Sequence, residues 1–362
     1  MRPDNPVPDV RIAQWTDIQG LFHDGDSDDG ALLLGNGFST NIWSRFAYSS
    51  LLAESELTGQ ARELFGRGCN FEAVLANLTV AQQISLVVEP NNLRLHSKLG
   101  QLADEIRGGL RQAVQQVHPE PSDLCAGLLP MPGMCHTVGL PRNVLDDVKM
   151  HLPRYSVVFT TNYDLITYWV VVSAGMADLF PGGDAFDVER AESWRQDSTQ
   201  PKIFFLHGAL HLWRSLSSNA ESKLTTNPGV ALLDMIRLAT ADPDHVPLFI
   251  SEGSSPDKVA RIGASPYLSF CARSLAASRA PLTVLGQALD DVDLHIRELI
   301  ECHPDRPVAI GVWVGDIPDQ TNRPDVLRAR ATMIRGRLPR SRNVTFFDSS
   351  DHPLTDPEMN CG

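Results

Sequence analysis

Short apolar runs alternate with helix-patterned stretches along most of the chain. ALLLG (31–35), SVVFT (156–160), KIFFLH (202–207), VPLFIS (246–251), PLTVLG (281–286), PVAIGVWVG (307–315) and NVTFF (343–347) each read as a buried strand. Their continuous apolarity predicts a parallel sheet covered on both faces. Helical periodicity is clearest at 71–87, 94–117, 162–174, 265–279, 291–301 and 323–337. This alternation predicts an α/β fold, a Rossmann-like and mostly parallel sheet with helices on both faces.

One interval breaks the rhythm. Between 41 and 152 only helical patterns occur, with a Pro/Gly/Met/Cys-rich connection, LCAGLLPMPGMCHTVGLP (124–141). It reads as a helical insertion after the first strand, serving as a lid, a partner surface or both. The expected division is an N-terminal segment, 1–30, and one α/β domain, 31–362, that carries the insertion at 41–152. The first ten residues, with three prolines, are expected to be poorly ordered.

Composition narrows the partners more than the fold. The 362 residues carry a net charge of −13, spread along the chain, which argues against direct binding to nucleic acid or an anionic membrane. Six scattered cysteines form no C-x-x-C pair and no zinc spacing, so a reducing compartment is expected. MRPDNPVPDV lacks the apolar core of a signal peptide, and no run approaches 18 consecutive apolar residues. A cytoplasmic location is the expectation.

The candidate chemistry gathers at strand ends. After the first strand, LLLGNGFSTNIW (32–43) offers Gly35 and Gly37 for close backbone approach and Ser39 at a helix start. That turn lacks the third glycine of a dinucleotide fingerprint, and a plain strand-to-helix turn explains it as well. In YSVVFTTNYD (155–164), Thr160, Thr161, Asn162 and Asp164 crowd the edge where open α/β sheets bind ligands. A helix cap needs only one such residue. KIFFLHGALHLW (202–213) places His207 at a strand end before Gly208, where an imidazole suits general-base work. His207 and His211, four apart, would pair on a helix, but no accompanying glutamate supports a metal site, and His211 reads as structural. LTVLGQALDDVDLHI (282–296) repeats the strand–glycine–polar pattern with Gly286 and Gln287, and its aspartates suit a helix N-terminus. DGDSDDG (24–30) resembles a calcium loop, yet Asp29 and Gly35 occupy the positions that would need Gly and Glu. Lys258, Arg261 and Arg273 read as solvated helix faces.

In this order, the four turns resemble the sirtuin-like superfamily. Gly35-Asn36-Gly37 with Ser39 is similar to the family's phosphate-cradling Gly-Ala-Gly-x-Ser turn. Thr161-Asn162-Tyr163-Asp164 resembles the Gln-Asn-x-Asp segment at the nicotinamide-side ribose. His207-Gly208 resembles the catalytic His-Gly, and Gly286-Gln287-Ala288-Leu289 the turn near the adenosine ribose. The blocks LLLGNGFS, FTTNYD, FFLHGALHLW and PLFISEGSSPDKVARIGASPYLSF look closer to bacterial sirtuin-like domains of unassigned function, related to anti-phage proteins that destroy NAD.

The chain departs from sirtuin deacylases, having TNIWSRFAY where they carry an Asp-Phe-Arg loop and no cysteine quartet for zinc. The resemblance therefore implies NAD as a substrate and no metal, with cleavage to ADP-ribose and nicotinamide by an anti-phage effector. Asn162, His207 and Asp164 would be catalytic. Gly35, Asn36, Gly37, Ser39, Thr161, Gly286 and Gln287 would bind the nucleotide. A homo-oligomer or a gating partner protein is expected. The alternatives are a non-catalytic NAD or ADP-ribose sensor and an ADP-ribosyltransferase.

Overall fold

The computed structural model describes residues 10–22, 30–68, 70–121, 139–140, 142–172, 183–186, 194, 203–224, 232–240, 242, 244–250, 253–315 and 320–355. Residues 24–29 of the calcium-like stretch, the first nine residues and most of the 124–141 connection lie outside them. The strands are β1 (Arg11–Ile12), β2 (Ala31–Leu34), β3 (Glu120–Pro121), β4 (Gly139–Leu140), β5 (Val157–Thr160), β6 (Ile203–Phe205), β7 (Gly208–Ser215), β8 (Glu221–Lys223), β9 (His245–Phe249), β10 (Leu282–Leu285), β11 (Val308–Val312) and β12 (Val344–Asp348).

Seven of them form one parallel sheet in the order β1-β12-β11-β10-β2-β5-β6. Numbered by appearance along the chain and leaving out the edge strand β1, that order is the doubly wound 3-2-1-4-5-6. The apolar runs predicted this outcome, since β2, β10 and β11 are buried along their whole length. β1 lies before residue 31, pairs with β12, and is followed by the buried Trp15.

The crossover from β2 to β5 holds the helical interval. Its longest pieces are the helices Phe71–Val88 and Leu93–Val117, which pack on each other. Asn70 and Asn92 cap them, each accepting the backbone N–H three residues on. By length and composition alone, Phe71–Val88 is long and apolar enough to cross a membrane. The interval also contains the small parallel pair β3–β4, which its helical pattern did not announce.

One strand assignment is corrected. VPLFIS is not a core parallel strand: β9 lies in a separate three-stranded antiparallel sheet, β8-β7-β9. The stretch after His207 is strand β7, so His207 and His211 share no helix face. The four-residue spacing of Leu206 with Leu210 and of His207 with His211 imitates a helix, but pairing with β9 decides the conformation. Gly208 makes that pairing possible. Its φ is +74°, and a Cβ there would come within 2.0 Å of the Leu248 carbonyl oxygen. The expected helix at 162–174 starts later, at Ile166, where the Asp164 carboxylate accepts the Ile166 N–H at 2.9 Å.

Candidate functional site

Four strands of the main sheet end level with one another. Leu285 pairs with Leu34, Leu34 with Thr160, and Thr160 with Phe205. The residues that follow, Gly286, Gly35, Thr161 and Leu206, are therefore brought side by side at the carboxyl edge. The point where chain order reverses lies between β2 and β10, where doubly wound folds open a crevice.

The glycines of the first and last turns are needed for each other. A Cβ on Gly35 would lie 2.6 Å from the Gly286 oxygen, and one on Gly37 would lie 2.7 Å from the Gly286 Cα. Gly286 has φ +67°, and a Cβ there would meet the Phe38 nitrogen at 2.3 Å. Gly35 N–H donates to the Leu285 carbonyl and Gly37 N–H to the Gly286 carbonyl, both at 2.9 Å. The two turns thus interlock, and the amides expected to cradle phosphate are used inside that lock.

The polar cluster of the second turn forms a chain of hydrogen bonds. Asn162 Nδ2 donates to the Gly35 carbonyl at 2.9 Å and to Ser39 Oγ at 2.8 Å. Ser39 Oγ donates to Asp164 Oδ2 at 2.5 Å. With both amide protons committed, Asn162 keeps its Oδ1 for a ligand. Burial pushes the Asp164 carboxyl above its ordinary range, opposed by the bonds from Ser39 and Ile166. Ser39 is wholly buried, lines neither cavity described below, and links Asn162 to Asp164. Behind the loop, His118 Nε2 accepts the Leu165 N–H at 2.9 Å, and its Nδ1 donates to the Pro119 carbonyl at 2.8 Å.

His207 is buried, and its Nε2 lies 2.8 Å from Nε2 of His295. His295 Nδ1 is 3.2 Å from Ser255 Oγ, which also accepts the His295 N–H at 2.9 Å. Lys258 stands close by, fully buried, with its ammonium 2.8 Å from Asp293 Oδ1 and 3.3 Å from Glu72 Oε1. Burial lowers the Lys258 pKa, but the two carboxylates more than offset this and hold it above its usual value. Burial, with the charge of Lys258 adding to it, holds His207 well below its ordinary pKa and lowers His295 to about 4. Both imidazoles are neutral at physiological pH.

His207, Asp293 and His295 have the donor types of a metal site, with ligand atoms within 4.8 Å of one another. The ring centroids of the two histidines are 5.1 Å apart. The excess over the 2.8 Å between nitrogens amounts to two ring radii, so the nitrogens meet head-on along the line between ring centres. A tetrahedral metal bonded at about 2.0–2.1 Å to each nitrogen would hold the two nitrogens roughly 3.3 Å apart. A proton fits the gap as it stands.

Above these groups lies a cavity of about 250 Å³. Asn36, Thr161, Asn162, Asp164, His207 and Gln287 contribute to its lining, and Tyr48, Asn70 and Glu72 of the helical interval close one side. A second cavity of about 580 Å³ runs over the ends of β10 and β11, with Trp313, Arg330 and Arg337 in its wall. The two share Gly37, Gly286, Gln287, Ala288 and Asp290.

Of the residues expected at the site, Asn162, Asp164, His207, Thr161, Asn36, Gly37, Gly286 and Gln287 line the first cavity, whereas Gly35 and Ser39 sit behind it. His211 is buried elsewhere, against the Tyr168 ring and 3.7 Å from Asp184. Four residues were missed. The sequence presents Lys258 as a solvated cation and Asp293 as a helix-terminal charge, and Glu72 and His295 stand in no motif. The only hint lay in the Asp293-x-His295 pair directly downstream of the Gly286 turn.

Solved structures similar to the chain include Sir2 with p53 peptide and NAD+, at 12% identity and a TM-score of 0.34, covering 95% of each chain. Sir2 bound to acetylated peptide is similar at 12% identity and a TM-score of 0.35, covering 96% of each chain. No curated protein matches the sequence. Residues 32–353 match the family described as a domain of unknown function, DUF4917, and the chain belongs to that family.

Proposed function

We propose that the protein is an NAD glycohydrolase, cleaving NAD to ADP-ribose and nicotinamide. The observation that carries the reading is the pair of cavities joined at the Gly37–Gly286 lock, directly over the switch point of a doubly wound sheet. A ligand with two ends and a narrow middle suits that shape. The reading is supported by two residues that line the smaller compartment: His207, whose pKa burial holds well below its ordinary value, and Asn162, whose amide protons are bonded to the protein.

Nicotinamide leaves a cationic pyridinium as a neutral molecule, so the reaction needs no strong general acid. The site has to hold the ribose and present one water to an oxocarbenium-like carbon. His207 Nδ1 is the ring nitrogen left to take a proton from that water, since Nε2 is committed to His295. Asn162 Oδ1 accepts from the water or a ribose hydroxyl. Asp164, through Ser39, holds Asn162 in place. Gln287 lines both compartments and is suited to the ribose-phosphate junction.

The test follows nicotinamide release from NAD by chromatography, for the wild type, Asn162→Ala and His207→Ala. Each variant is expected to lose about 10²–10⁴-fold in rate. Equal NAD loss by all three would refute the site. A non-catalytic NAD or ADP-ribose sensor is the second reading, favoured by how many polar groups here already bond to the protein itself. Stoichiometric binding in calorimetry without turnover would support it, and label from NAD retained on macromolecules would indicate ADP-ribosyl transfer. A role as an anti-phage effector, gated by self-assembly or by a partner at the helical interval, extends the hydrolase reading and rests on the sequence resemblance.

A further inference from the structure

His207 and His295 have one proton to share. Their nitrogens meet head-on at 2.8 Å, and both rings are buried and neutral. One Nε2 must therefore carry hydrogen and the other must accept it. Two assignments satisfy the bonds around them. In the first, His295 donates, His207 carries its hydrogen on Nδ1, and Ser255 Oγ donates to His295 Nδ1. In the second, His207 donates from Nε2, His295 donates from Nδ1 to Ser255 Oγ, and His207 Nδ1 is a bare lone pair. Only the second puts a base at the cavity.

The surroundings of His295 suit it to accept that hydrogen and then the charge. The Asp293 carboxylate is near both rings, and its attraction favours a charged His295. Lys258 opposes that charge, but Asp293 and Glu72 hold its ammonium. Ser255 fixes the far edge of the ring from one turn before Lys258 on the helix Ser255–Gly263.

We infer that His295 is a positioning residue that keeps His207 protonated on Nε2 with its Nδ1 lone pair toward the cavity, and that takes the Nε2 proton when His207 accepts one from water. As the water O–H bond breaks, its proton goes to His207 Nδ1 and its oxygen bonds to the ribose carbon. The electrons of the glycosidic bond leave with neutral nicotinamide. The Nε2 proton of His207 moves to His295 Nε2, and the positive charge then stands beside Asp293. The turnover part of this inference rests on the hydrolase reading; the tautomer does not.

The first measurement needs no turnover. In full-length protein with ¹⁵N-labelled histidine, the His207 ring, assigned by its loss in His207→Asn, should show a protonated Nε2 and a bare Nδ1. A proton on His207 Nδ1 would overturn the inference whether or not NAD is cleaved. The second measurement compares NAD turnover by His295→Ala and His295→Gln. Both should lose about 10²-fold in kcat, the lower end of what a misaligned base costs, with KM unchanged. Added imidazole should restore part of the rate in His295→Ala and none in His295→Gln. Unchanged kcat in a folded His295 variant would refute the relay. Absence of NAD cleavage by the wild type would remove the hydrolase reading and the relay with it, leaving the tautomer to the first measurement.

Discussion

Protonating His118 should loosen the loop that carries Asn162 and Asp164. The ring is buried between Phe46 and Trp169, with centroids 5.0 and 4.9 Å away. Its Nδ1–H donates to the Pro119 carbonyl, and its bare Nε2 accepts the Leu165 N–H. A second proton on Nε2 would set a donor against a donor. Burial, only partly opposed by the Pro119 bond, lowers the pKa from 6.5 to about 4. The unfolded chain therefore binds a proton that the folded chain refuses between those values, and stability falls as pH falls through that window. At roughly 1.4 kcal/mol per unit, the whole window is worth about 3 kcal/mol. Between pH 6.5 and 5, about 2 kcal/mol should be lost through this one residue.

The assay is urea unfolding of the wild type and His118→Gln at several pH values from 7.5 to 5. His118→Gln should be the less stable at pH 7, because the Leu165 and Pro119 bonds are disturbed. The gap should then close by about 2 kcal/mol as pH drops to 5, since only the wild type incurs the penalty. A gap that stays constant would refute the reasoning. A constant gap would mean that His118 either takes up a proton when folded or is solvated enough to do so freely.

Gly286→Ala should destabilise the fold by at least about 1–3 kcal/mol, because its positive φ and the Phe38 nitrogen at 2.3 Å both resist a Cβ. Gly59→Ala, with open space around it, should change stability by under about 1 kcal/mol, and thermal melts would separate the two. Lys258→Met would leave Asp293 and Glu72 facing each other without their buried cation and should cost about 3–5 kcal/mol in urea unfolding. The same change removes a positive charge beside His207 and His295, so under the proposed hydrolase function the acid limb of NAD cleavage should move to higher pH. Under the same proposed function, wild-type cleavage should stay level as pH falls from 7.5 through 6.5, because burial holds the His207 pKa well below 6.5. A rate halved near 6.5 would show a solvated imidazole instead.

Much of the sheet was legible because burial on both faces leaves a mark at every position. A strand such as ALLL has no solvent-facing side to dilute its apolar run, and β2, β5, β6, β10, β11 and β12 all coincide with such runs. β7 was not legible. Its spacing fits two periods, and what selects the strand is a partner 30 to 41 residues away. Lys258 misled for a related reason. A lysine on a helix is ordinarily solvated, and only the approach of Glu72 and Asp293 from two other elements makes its burial tolerable.

The candidate site divides along the same line. The sequence alone determined the groups at the strand ends, because turns at the carboxyl edge are local and their Gly, Asn and His residues stand next to the apolar runs that locate them. Tertiary structure decided what those groups do. It interlocked the glycine turns with each other, and it committed both Asn162 amide protons to Gly35 and Ser39, which leaves the amide oxygen for a ligand. It also set His295 behind His207, 88 residues along the chain, at the distance of one shared proton. Hydrogen-bond partners depend on which strands lie side by side, and that order is a property of the whole sheet.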